Sequence, residues 1–203
     1  MRTSITKEEL AELPQRAFDG HPVTVINLEQ AEIAVRQIRE ANCPVGFDTE
    51  TRPSFKKGEY HKVALVQLSI GRFCFLFRLN KIKSMPDCLK ELLEDPEVIK
   101  VGLSTPDDFR NLNKWRSISP KGFIELQQFV TEYGITDKSL AKIYADVFEK
   151  RLSKRQQMTN WEADQLSFAQ QAYASLDAIS CVEIYNELSK HGAKTNDENE
   201  EVS

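Results

Sequence analysis

Val45-Gly46-Phe47-Asp48-Thr49-Glu50 carries an apolar stretch into two carboxylates set one residue apart. After Pro44, which opens it, the run reads as a buried strand. Side chains alternate faces along a strand, so Asp48 and Glu50 point the same way. Side by side where the strand leaves the core, they repel each other and lose hydration. Divalent cations relieve both penalties, because hard ions such as magnesium and manganese prefer carboxylate oxygen. Taken alone the pair decides nothing, since strand ends meet water and acids there are commonly just solvated.

Upstream of this strand, Thr6-Lys7-Glu8-Glu9 is a capping-box pattern that predicts a short helix ending at Pro14. Val23 to Ile26 reads as a strand. Asn27 is placed to cap a helix whose apolar residues Leu28, Ala31, Val35 and Ile38 step by three and four. Downstream, a turn near Lys57-Gly58 precedes a strand over Val63 to Ser69, which Gly71 turns into a hairpin partner, Phe73 to Phe77. Pro86 to Leu93 reads as a helix and Val98 to Leu103 as a buried strand. The pattern then becomes helical: a helix with Thr105 as cap and Pro106 as first residue, helical spacing over 123–133 and 138–149, and a last helix from Ser167 to Leu188. Strands first, mixed elements next and helices last predict an α/β fold, a central mixed sheet flanked by helices.

The composition allows this and excludes much else. The chain has 203 residues, 40% hydrophobic and 29% charged, with net charge −4. That is the composition of a globular domain, and it excludes a wholly basic nucleic-acid-coating protein while leaving room for a local basic groove. The longest apolar runs, such as Phe73 to Phe77, are too short to span a bilayer. Met1 to Glu12 carries acids and no apolar signal core, so secretion is not expected. Cys43, Cys74, Cys88 and Cys181 form no CxxC pair and read as reduced thiols in or near a core, which suits the cytoplasm. No HExxH, GxSxG or GxxxxGK[ST] string occurs, so zincin, α/β-hydrolase and P-loop chemistries have no anchor.

Two further acidic groups stand out. Tyr173 and Asp177 lie four apart on the last helix and project from one face, with the small Ala174 and Ser175 between them. A half-buried tyrosine bonded to an acid one turn away explains that pair equally well. Asp107-Asp108 falls in a first helical turn, where acids complement the helix dipole by ~0.3–1 kcal/mol each.

In order and spacing, these groups resemble the DEDD superfamily of 3′–5′ exonucleases in its tyrosine-bearing branch, to which ribonuclease D and the exonuclease domain of the Werner-syndrome helicase belong. Phe47 to Glu50 is similar to the first exonuclease motif, and Lys62 to Ser69 to the strand that follows it. Lys100 through Asp108 and Leu112 resembles the second motif, and Tyr173 to Ala178 the third. Asn160-Trp161-Glu162, ahead of Leu166-Ser167 and Gln170, resembles the family's approach to that last motif. Thr159 stands where relatives often carry serine.

The resemblance implies a ribonuclease H-like fold, with an N-terminal helical extension over 1–22, an exonuclease domain over 23–190 and a disordered acidic tail over 191–203. It implies metal-dependent 3′–5′ hydrolysis of terminal phosphodiester bonds in single-stranded DNA or RNA, with release of nucleoside 5′-monophosphates. It further implies two divalent cations, Mg2+ or Mn2+, roughly 3.5–4 Å apart. Asp48 bridges them, Glu50 and Asp177 complete the first ion's shell, and Asp108, four before Leu112, holds the second. Tyr173 orients the attacking water. Substrate contacts are expected at Thr49, Lys154, Arg155 and Trp161, the lysine and arginine within the basic run Lys150-Arg151-Leu152-Ser153-Lys154-Arg155. That run is otherwise a solvated loop. Arg52, Lys56 and Lys57 are further candidates for the groove. Phe55 or Trp161 is placed to stack on a base, although Trp161 suits a core equally. The other reading is a nucleic-acid-binding or scaffold domain that keeps this fold without cutting.

Overall fold

The computed structural model describes residues 2–56 and 58–192. Most of the expected acidic tail, together with Lys57, lies outside the described residues.

Six strands form one mixed sheet: β1 (His21–Val25), β2 (Val45–Thr51), β3 (Val63–Ile70), β4 (Phe73–Phe77), β5 (Lys100–Gly102) and β6 (Phe123–Glu125). Their order is β1-β4-β3-β2-β5-β6. β2, β3 and β4 run antiparallel to their neighbours in this set, whereas β1 pairs β4, and β5 pairs both β2 and β6, in parallel. The β3–β4 hairpin turns at Gly71, whose φ of +54° a glycine adopts without strain.

Helices cover both faces, and the alternation of the strands decides what each face buries. On one side, Phe47, Leu68, Phe75 and Phe77 pack with α2 (Leu28–Glu40) and α4 (Asp87–Glu94). On the other, Leu65, Cys74 and Leu76 pack with Ala174, Ala178 and Ile179 of the long helix α8 (Phe168–Ser189). A third cluster joins α8 to α7 (Leu140–Phe148) and to α6 (Leu126–Phe129) through Ile143, Ile184 and Leu126. The remaining α-helices among the described residues are α1 (Lys7–Glu12), α3 (Leu79–Ile82) and α5 (Thr105–Leu112), and a 3-10 turn, Val130–Tyr133, follows α6.

Capping signals locate helix starts well. Thr6 and Ser167 make the expected capping boxes with Glu9 and Gln170, and Asn27 accepts the Gln30 N–H.

Several expectations are corrected. β1 begins at His21 rather than Val23, and β5 is shorter than the apolar run around it. Leu28 is 55% exposed, so the buried face of α2 rests on Ala31, Ala34, Val35 and Ile38. Cys43 is exposed rather than in the core. Residues 123–125 are an edge strand and not the start of a helix, because Lys100, Val101 and Gly102 offer them a backbone ladder. α5 begins one residue early: Ser104 is its cap, and Thr105 is its first residue.

Candidate active site

Asp48 and Glu50 project from β2 toward α8. Their pairing residues on β3 are Gln67 and Leu65. Asp177 comes from α8, and what lets that helix approach is Gly46: a Cβ there would lie 1.9 Å from the Ala178 carbonyl oxygen and 2.3 Å from Ser69 Oγ. Ala174, Ser175 and Ala178 are fully buried at this contact. Small side chains on both elements therefore bring a carboxylate of α8 beside those of β2. One carboxylate oxygen from each of Asp48, Glu50 and Asp177 lies within 4.8 Å of the others.

Asp108 reaches the same end of the sheet from the first turn of α5. Its Oδ1 accepts a hydrogen bond from the Thr49 hydroxyl. It stands outside the close group of three, although its charge still acts on Asp48. Asp107, its neighbour, turns outward to pair with Arg110. α5 itself is held by Glu125, whose carboxylate accepts the backbone N–H groups of Ser104 and Thr105, each at 2.8 Å, and the Thr105 hydroxyl at 2.9 Å. A side chain on a neighbouring strand thus does the capping that local sequence assigned to Thr105.

The electrostatics are unusual. Among the described residues, none of Asp48, Glu50, Asp108 or Asp177 has a lysine or arginine partner within ion-pair distance, whereas Asp107 has one. Burial, reinforced by the charges of Asp177 and Asp108, pushes the Asp48 carboxyl well above its ordinary range. Burial and the neighbouring carboxylates push Glu50 to about 10. Burial raises Asp108 to about 7 against the Thr49 hydrogen bond, and Asp177 to about 7 against the pull of Tyr173 and Lys154. Tyr173 is also raised by burial and by the charges of Asp177 and Glu50, so its phenol keeps its proton across the neutral range. Three converging, uncompensated oxygen donors are the set a hard divalent cation prefers. The residues present therefore fit one.

A cavity of about 380 Å³ opens over Asp48, Asp177 and Tyr173, with Lys154 and Lys138 on its walls. Sequence reasoning missed Lys138; no motif marks it, and it arrives on the loop before α7.

Other expected contacts separate. Thr49 gives its hydroxyl proton to Asp108 and so orients a carboxylate. Arg155 is exposed and does not line the cavity. Arg151 donates to the Leu13 carbonyl and ties down the N-terminal segment. Trp161 is fully buried, 6.1 Å from the Tyr173 ring between centroids, and presents no face on which a base can stack. Its size drew it into the core, where it backs the tyrosine. Phe55 is 78% exposed, and Arg52 pairs with Glu162 at 3.4 Å.

Comparison with known proteins gives the arrangement relatives. A family described as 3′–5′ exonuclease matches residues 22–193. Exonuclease 3′–5′ domain-containing protein 2 of Drosophila melanogaster is 35% identical over 147 residues, covering 71% of this chain and 25% of that protein. The bifunctional 3′–5′ exonuclease/ATP-dependent helicase WRN of Mus musculus is 31% identical over 153 residues, covering 73% of this chain and 11% of that protein. The chain thus spans a quarter or less of the length of these two relatives. The crystal structure of Trypanosoma brucei RNase D in complex with RNA U12 shares the fold, with a TM-score of 0.73 at 20% identity over 88% of this chain and 65% of that one. The fold is ribonuclease H-like.

Proposed function

This chain belongs to the 3′–5′ exonuclease family, and from that premise we propose that it removes nucleotides one at a time from the 3′ end of a single-stranded DNA or RNA. The observation that carries the reading is the convergence of Asp48, Glu50 and Asp177, none of which has a lysine or arginine partner within ion-pair distance among the described residues.

Asp48, Glu50 and Asp177 would hold a divalent cation, Mg2+ or Mn2+, and Asp108 would serve a second. Bound there, such ions neutralise phosphate charge and activate water for attack on phosphorus. Each side chain has a definable task. Asp48 and Glu50, fixed by the β2 ladder, supply oxygen donors of constant spacing. Asp177 brings a third from an independent element, so the site forms only when α8 seats on Gly46. Thr49 holds the Asp108 carboxylate in place. Tyr173 retains its hydroxyl proton and therefore positions a water by hydrogen bonding rather than acting as a base. Lys154 and Lys138 add positive charge to the rim, where the scissile phosphate and its neighbour would lie. Nucleoside 5′-monophosphates are the products of such cleavage. Four free cysteines support a reducing, cytosolic setting. Among the described residues no helix is long and apolar enough to cross a membrane.

A 5′-labelled single strand incubated with Mn2+ tests this. We expect a ladder that shortens from the 3′ end and stops on chelation. Tight binding with no shortening, in metal, would favour the non-cutting scaffold instead.

A further inference from the structure

Past the carboxylates, β2 continues into a loop that holds two large aromatic side chains in solvent. Phe55 is 78% exposed and Tyr60 is 85% exposed. Such side chains have no part in the core and are free to meet a ligand. On either side of these aromatics, Arg52 pairs with one oxygen of Glu162 at 3.4 Å, and His61 Nδ1 lies 3.3 Å from the other. Beside Tyr60 lies a second cavity of about 440 Å³, with Trp115 in its lining and Lys62, Lys81, Lys83 and Asn80 around it.

Glu162 also lines this cavity, but its carboxylate is engaged by Arg52 and His61, and the lysines and rings that remain suit a polyanion with rings. Lys62 Nζ stands 4.6 Å from the centroid of the Trp115 ring, which is fixed by its indole N–H donating to the Val63 carbonyl at 2.8 Å. Lys81 is paired with Asp164, but Lys62 and Lys83 enter no ion pair among the described residues. Asn80 Oδ1 is buried without a hydrogen-bond partner. A phosphate has no donor to offer it, whereas a nucleobase amino group or a ribose hydroxyl does. Val63, on the cavity lining, pairs with Thr51, three residues beyond Asp48 on β2. At about 3.3 Å per residue the second cavity therefore begins ~10 Å from Asp48 along the strand, and one residue beyond Glu50.

We infer that this cavity is a second binding site for the single strand whose 3′ end enters the carboxylate site. Its phosphates lie on Lys62 and Lys83, and a base stacks on Tyr60, as in other single-strand channels. The inference rests on the exonuclease reading for the identity of the strand. It gives the enzyme a grip on the part of the substrate that is not being cut, so a long strand is held better than a dinucleotide.

The test compares the wild-type protein with Lys62→Gln/Lys83→Gln and with Tyr60→Ala. All three side chains are exposed, and none belongs to the catalytic cluster. On a long single strand we expect KM to rise about tenfold with kcat unchanged, and the dependence of log K on log salt to flatten by about 0.7 per lysine removed. On a dinucleotide we expect kcat/KM to stay at the wild-type value. Unchanged KM on the long strand, or equal losses on long and short substrates, would overturn the proposal. Fluorescence anisotropy of a labelled strand in chelator separates this site from the exonuclease reading. Wild-type binding that the lysine variant loses, with no cleavage by either in metal, leaves the site standing and the exonuclease reading refuted. Wild-type cleavage matched by both variants refutes the site and leaves the exonuclease reading intact.

Discussion

Asp137 and the acids around Asp48 are treated in opposite ways by the same chain. Asp137 accepts the Ile5 backbone N–H at 2.8 Å and Lys142 Nζ at 2.9 Å, and despite its burial these hold its carboxyl below the ordinary range. At the end of β2, Asp48 and Glu50 face Asp177 with no such partners, and burial drives their carboxyls the other way. Asp137, which holds the fold, is completed by this chain, although Asp146 beside it is buried and raised to about 7 by burial and by the charge of Asp137. Acids that serve its chemistry are left to be completed from outside. The N-terminal segment is stapled by one kind, and the proposed reaction depends on the other.

The strongest way to break that contrast is Asp48→Asn. It removes a donor the chain has not balanced, so cleavage should fall at least about a thousandfold, ~4 kcal/mol of transition-state stabilisation, while circular dichroism stays native. Wild-type cleavage by the folded, metal-supplied variant would show that Asp48 holds no ion.

Gly46→Ala tests how the cluster is assembled. The added methyl meets a backbone carbonyl at 1.9 Å, which no side-chain rotation relieves. Stability to urea should drop by ~1–3 kcal/mol. Activity per folded molecule should drop as well, because displacing Ala178 displaces Asp177. Full activity in the folded fraction would separate the α8 contact from the site.

Asp137→Asn sharpens the other side. It weakens a paired, structural carboxylate, so stability should fall by about 1 kcal/mol with kcat unchanged. A matching loss of kcat would mean the two acidic regions are not independent.

What was legible in the sequence follows from how local each signal is. Capping boxes at Thr6 and Ser167 lie within four residues and read directly. The strand carrying Asp48 and Glu50 read directly too, since an apolar run before paired acids is a one-element pattern. Asp108 could be told from Asp107 only through the family motif, and the structure turns the first toward Thr49 and the second toward Arg110. β6 was misread as helix because three residues carry no periodicity and owe their extension to β5. The capping of α5 by Glu125 was invisible for the same reason, as it acts across 20 residues. Trp161 suits stacking and a core equally in the sequence, and only packing reveals that it is enclosed.

Thermal denaturation of the wild type and Asp48→Asn, with and without Mn2+ across pH, tests the central claim most directly. The site carboxyls are raised in the folded protein, Asp108 and Asp177 to about 7 and Glu50 to about 10. Metal-free wild type should therefore lose stability as pH rises from about 4, where unfolded carboxylates ionise, through those values. Without metal at pH 8, Asp48→Asn should melt above the wild type, and the gap should close toward pH 4. Mn2+ should reverse the order by stabilising the wild type, by about 2.7 kcal/mol at a hundredfold excess over Kd. An Asp48→Asn protein that melts below the wild type at every pH without metal, with Mn2+ shifting both alike, would contradict the account.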